Sequence, residues 1–263
     1  MPKSFFLFIC CVFTLLKPCI GFAWAFTEDF KQGFYWGSLP ISFGKFVSSP
    51  ADGELLSRLT DEAQQEWENQ AGKEIWSVTP GYSTNAPGGN HIRWSNNFAA
   101  ETGYDPNTTL AVTVRHASGT YFSKVEIILN GGNSALRSNT NNMLKKTILH
   151  ELGHTVGLDH SQQYSIMGAN LSGVSALTFD DSQGINSAID EIQYRQQIGY
   201  VSPLASESGN KTFAACGSVA FISGNDSDND SGTKSFVLSL AMGIMLSMLI
   251  AARRQKLPIS ILQ

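Results

Sequence analysis

The stretch His150-Glu151-Leu152-Gly153-His154-Thr155-Val156-Gly157-Leu158-Asp159-His160 limits what this chain can fold into more than any other part of it. On a helix, residues four apart share a face, so His150 and His154 present two imidazoles to one point. Glu151 stands one residue on, within reach of a water held there. A third ligand on the same face would overshoot that point, so the chain must turn. Gly157 permits the turn because it can take the left-handed backbone conformation, and His160 is then carried back to the metal. Three imidazoles leave one tetrahedral position open, which is the arrangement of a catalytic rather than a structural zinc. Three of the chain's five histidines are spent here. His91 and His116 have no such context and read as surface or satisfied polar residues.

The surrounding pattern supplies the elements such a site needs. The metal helix is expected over 141–156, with Thr140 as its cap and Gly157 as its stop. Leu55, Leu56, Leu59, Ala63 and Trp67 recur at three and four, which predicts a helix over 55–71 closed by Gly72. Strands are expected within 36–47, where Pro40 is tolerable at a strand start, and at 91–94, 110–115 and 125–129. Asn130-Gly131-Gly132 ends the last of these with turn chemistry. A final helix is expected over 178–192. No repeat is visible, and the mixing of helices and strands without strict alternation favours α+β over a doubly wound sheet.

The two ends carry localisation signals. Lys3, the apolar run 5–16 and Ala23-Trp24-Ala25 have the layout of a secretory signal peptide, placing the mature start near Phe26. Residues 236–252 are free of charge and are followed at once by Arg253, Arg254 and Lys256, the pattern of a stop-transfer helix with a short cytoplasmic tail at 253–263. The tail equally resembles the processed sorting tails of some bacterial surface proteins, so retention and removal both stay open. The expected organisation is therefore a signal peptide at 1–25, one domain at 26–200, a polar linker at 201–235 and the apolar span. Cys10, Cys11 and Cys19 leave with the signal, and Cys216 alone cannot form an internal disulfide. A formal net charge of −4 leaves no basic surplus for phosphates, which argues against a nucleic-acid partner. The expected partners are a polypeptide and, through the C-terminal helix, a membrane.

The zinc stretch, followed by Ser165-Ile166-Met167, resembles the signature of the metzincin metalloproteases. The resemblance is nearest to the matrixin branch: Gly157-Leu158-Asp159-His160-Ser161 matches its third-ligand segment, and Leu177-Thr178-Phe179-Asp180-Asp181 with Gly184-Ile185 is similar to the start of its last helix. Trp36 to Phe43, Glu66-Trp67 and Val125-Glu126-Ile127 fall in family order. The resemblance implies a metzincin-like zincin domain with a mixed, mostly parallel twisted sheet, an active-site helix and a C-terminal helix. It also implies Zn²⁺ on His150, His154 and His160, Glu151 as catalytic base, and Met167 as an apolar floor beneath the metal. Structural Ca²⁺ is a property of the family, but its sites find no residue-by-residue match here. No cysteine-switch segment is present, and Gly168-Ala169 departs from the bulkier residues and proline usual after the methionine.

The implied activity is hydrolysis within polypeptide chains, on substrates aligned along an exposed strand edge by main-chain hydrogen bonds. Leu110, Ala111, Val112 and Thr113 are the candidate edge by resemblance; an interior strand fits the same residues. A zinc-stabilised surface adhesion module without turnover is the alternative, against which stands a carboxylate beside an open coordination position.

Overall fold

The computed structural model describes residues 23–47, 49–85, 88–171, 173–205 and 210–215. Most of the expected signal segment, Cys216 and the apolar span at 236–252 lie outside these residues. Among the described residues no helix is long and apolar enough to cross a membrane.

In chain order the elements are α1 (Glu28–Lys31), β1 (Tyr35–Trp36), β2 (Ile41–Phe46), α2 (Gly53–Ala71), β3 (Trp76–Val78), β4 (His91–Ser95), α3 (Phe98–Thr102), β5 (Ala111–Ser118), β6 (Tyr121–Asn130), α4 (Ser134–Arg137), α5 (Met143–Thr155), α6 (Phe179–Gln197) and β7 (Lys211–Ala215). The sheet runs β3-β2-β4-β6-β5-β7, with β1 pairing on β6. The pairs β2/β3, β2/β4, β4/β6 and β1/β6 are parallel, whereas β5 pairs antiparallel with both β6 and β7. Helices beside a mixed, mostly parallel sheet make this the α+β arrangement expected.

Helix α2 packs against α5 and α6, and α5 against β5. Its buried stripe, Leu56, Leu59, Ala63 and Trp67, keeps the helical spacing of the sequence, and Gly72 ends it at φ 64°. The Trp67 indole donates to Leu149 O at 2.8 Å, tying α2 to the middle of α5. Trp36 Nε1 donates to Thr155 O at 2.7 Å and Trp76 Nε1 to Thr155 Oγ1 at 2.9 Å, so the end of α5 is pinned from β1 and β3. A helix C-terminus leaves carbonyls without intrahelical partners, and an indole N–H satisfies one while burying a large apolar surface.

Three expectations need correction. The metal helix does not begin near Asn141 with Thr140 as its cap. Asn139, Asn141 and Asn142 sit at φ 53°, 52° and 58°, in the left-handed region that asparagine tolerates, so the regular helix starts at Met143. Residues 201–215 are not all linker. Ser202 Oγ donates to Gln32 O at 2.8 Å, and beyond it β7 joins the sheet along β5, with the Phe213 ring tilted against Phe34 at a centroid distance of 5.0 Å. The last helix runs to Gln197, five residues past its expected end.

Candidate metal centre

Helix α5 brings His150 and His154 together as their spacing requires, with the two Nε2 atoms 3.0 Å apart. The other ring nitrogens are taken: His150 Nδ1 lies 2.7 Å from Ile166 O, and His154 Nδ1 2.7 Å from Leu158 O. A carbonyl can only accept, so Nδ1 carries the proton in each ring and Nε2 keeps its lone pair. Two lone pairs at this distance repel unless a cation lies between them.

Gly157 stands at φ 98°, and a Cβ there would fall 2.7 Å from Phe30 Cγ. The turn it makes returns His160 to the pair, its ring centroid 5.1 Å from each of the others. One ligand atom from each of the three histidines lies within 4.8 Å of the rest. His160 Nε2 is buried with no protein partner, and so is Glu151 Oε1. Buried polar atoms are rarely left unpaired, so two orphans beside facing lone pairs mark a place for an ion. The donor set is three neutral nitrogens, which suits zinc. Gly157→Ala is expected to cost about 1–3 kcal/mol through the strained φ, and more if Phe30 cannot move. The unfolding midpoint would fall and zinc content would drop with it; an unchanged midpoint would contradict the account.

Electrostatics keep the ligands ready. Burial, aided by the neighbouring imidazole of His160, pushes His150 down to about 3, and burial also drives His154 well below the ordinary histidine range. Burial lowers His160 too, opposed by the Asp159 carboxylate. All three are therefore neutral at pH 7, as metal ligands must be. Glu151 is fully buried, and burial raises its carboxyl to about 8, against the pull of the Thr113 hydroxyl and the Arg115 charge. Thr113 Oγ1 donates to Glu151 Oε2 at 2.6 Å, which leaves Oε1 as the free oxygen.

Met167 is buried beneath α5 beside Gly153, where a Cβ would run into its sulfur. Its segment is held by α6: Asp181, itself buried, accepts from Ile166 N at 3.0 Å and from Met167 N at 2.9 Å. The same carboxylate closes a capping box with Thr178. The chain that supplies a carbonyl to His150 is thus fixed by the start of the last helix. The neighbouring Asp180 accepts from Ser161 Oγ at 2.6 Å, steadying the loop after His160.

Against protein-family models, the one described as Matrixin, of peptidase family M10, matches residues 51–189, just over half of the chain. The chain belongs to the matrixin family. No curated protein matches it. Family membership makes this matrixin a metallopeptidase by kind, and its three-histidine cluster is consistent with zinc.

The predicted site residues fall in two groups. His150, His154 and His160 converge on one point, Glu151 follows His150 on the same helix with a buried oxygen left unpaired, and Met167 packs against Gly153. Of the edge candidates, Thr113 reaches the Glu151 carboxylate, while Val112 faces away into a small cluster with Phe98 and Ile128. Ala111 is buried in β5 and Leu110 just precedes it. His91 is buried, with Nδ1 2.7 Å from Gly89 O, and His116 lies 3.1 Å from Thr212 Oγ1; neither joins the cluster. Three functional contacts escaped the sequence: Thr113 on Glu151, Asp181 under the methionine segment, and a buried pair of Asp29 with Arg115. Only Asp181 left a signal, the Thr-x-x-acid spacing of a capping box.

Proposed function

We propose that this matrixin is a zinc-dependent endopeptidase with His150, His154 and His160 as ligands and Glu151 as general base. The observation that carries the reading is the pair of Nε2 lone pairs facing each other beside a buried carboxylate with one oxygen free. When bound, Zn²⁺ supplies an acidified water, polarisation of the scissile carbonyl and a charge that favours the ionised form of Glu151. Glu151 Oε1 takes a proton from the attacking water while Thr113 holds Oε2 in place. The same carboxyl then passes the proton to the departing amine, acting as base and acid in turn. Strand β5, which carries Thr113, orients an extended polypeptide by main-chain hydrogen bonds, and this favours cuts inside a chain.

The patterns at the two ends support export, with the catalytic domain outside the cytoplasm and either anchored through 236–252 or released when the tail is processed. Purified protein is expected to cleave unfolded casein into internal fragments and to carry about one zinc per chain. A chelator should stop cleavage and added Zn²⁺ restore it. Cleavage that persists after zinc is stripped, or a metal-loaded protein inert on every peptide in a random library, would overturn the reading.

A further inference from the structure

Strand β5 holds Thr113 against the Glu151 carboxylate, and its outer side is taken by the chain itself. β7 pairs antiparallel along it, with Ala215 opposite Thr113 and Lys211 opposite Ala117. An extended polypeptide binding here needs those same main-chain groups, because strand addition works by completing an open ladder. The segment that holds them is slight. It is five residues long, β5 is its only pairing partner among the described strands, and Thr212 and Ala214 are exposed. Its side-chain anchors lie in the half of the strand from Lys211 to Phe213 and not at Ala215, the residue opposite Thr113: Phe213 against Phe34, the Lys211 ammonium 5.6 Å from the Phe34 ring centroid, and Thr212 Oγ1 3.1 Å from His116 Nδ1. A short strand with few apolar contacts and solvent on one side opens at low cost.

We propose that residues 211–215 are an intramolecular occupant of the substrate-binding edge, holding the full chain in check until a substrate or another event displaces them. The inference rests on the endopeptidase reading. An incoming peptide exchanges one set of ladder hydrogen bonds for another, so the exchange itself is nearly neutral. The balance is then set by concentration: a tethered strand is present at an effective concentration in the millimolar range, above that of most free substrates. The C-terminal segment would thus regulate a domain in which the sequence offers no cysteine switch.

The test compares full-length protein with the Thr212→Pro/Phe213→Pro variant. Ladder N–H groups alternate in direction along a strand, so two adjacent prolines must remove one that faces β5. KM for a peptide substrate is expected to fall about tenfold or more, with kcat and zinc content close to wild type. Amide exchange should quicken along 113–117 and stay slow in α5. A free peptide of residues 210–215 should inhibit the variant competitively, and a labelled substrate peptide should bind the variant more tightly than wild type. The milder Phe213→Ser, which weakens only the anchor, should shift KM in the same direction by less. Faster exchange along β5 with KM and peptide binding unchanged would overturn the inference, leaving β7 as a structural strand. Recovery of wild-type chains cut next to Ala215, absent in a Glu151→Gln background, would overturn it too, because the strand would then be a substrate rather than a block. Tighter peptide binding without hydrolysis in either protein would support the occupied edge and sink the endopeptidase reading alone.

Discussion

Replacing Glu151 with glutamine is expected to lower kcat on a peptide substrate by about 10²–10⁴-fold, the usual contribution of a positioned acid–base group. The amide has nearly the same size, and its oxygen can still accept the Thr113 hydroxyl that now sits 2.6 Å from Oε2. What it cannot do is take a proton from water and return it to the amine. The three imidazoles, each placed by its own backbone or ring contacts, do not depend on the carboxylate, so zinc measured by metal analysis should stay at the wild-type ratio. KM should change little, since the loss falls on proton transfer rather than on binding. A variant that keeps its zinc and turns over at the wild-type rate would remove Glu151 from the chemistry.

Asp29→Ala is expected to produce the largest loss of stability, about 3–5 kcal/mol. Arg115 lies on the buried face of β5 and gives Nε to Asp29 Oδ2 at 2.7 Å and Nη2 to Oδ1 at 2.9 Å. Its remaining Nη1 bonds the carbonyl of His154, at the end of the metal helix. Both side chains of the pair are almost wholly out of solvent, at 1% and 2% exposure. Removing the carboxylate leaves a guanidinium in a region where an uncompensated charge is costly, and it loosens the carbonyl next to a ligand. With total stability of about 5–15 kcal/mol, such a loss takes a large share of it. The midpoint of urea unfolding should fall steeply, and Arg115→Met added to Asp29→Ala should recover part of the loss by removing the stranded charge. A shift below about 1 kcal/mol in the single variant would show that the pair is not what holds β5 to α5.

Much of the site was legible in the sequence because its parts are local. The spacing of His150 and His154 places both rings on one face of a helix, whatever lies around it. Gly157 marks the turn because few other residues tolerate a φ of 98°, and the turn needs only three more residues to return His160. Helix α2 is visible in the sequence through its apolar stripe, and α6 through the likeness of 177–181 with Gly184-Ile185 to the start of the last matrixin helix. The start of α5 falls later than the sequence pattern implies for an equally local reason: the 139–142 stretch contains asparagines whose side chains stabilise left-handed turns as readily as they cap helices. Thr113 falls within the candidate edge strand, but the sequence carries no mark of its bond to Glu151. Nothing within ten residues of it distinguishes a threonine that packs in a sheet from one that bonds a buried carboxylate on the helix below.

The chain's own order of residues determined the three-histidine cluster, the carboxylate that follows its first member, the sharp turn and the two long helices, because each depends on groups a few positions apart. The tertiary structure alone decided that Thr113 reaches Glu151 across 38 positions, that Asp29 neutralises Arg115 across 86, and that β7 lies along β5. Those contacts arise from strand order and from which faces meet in the core. They are settled by closing long loops against the burial of many side chains at once, a balance that no short window of sequence contains.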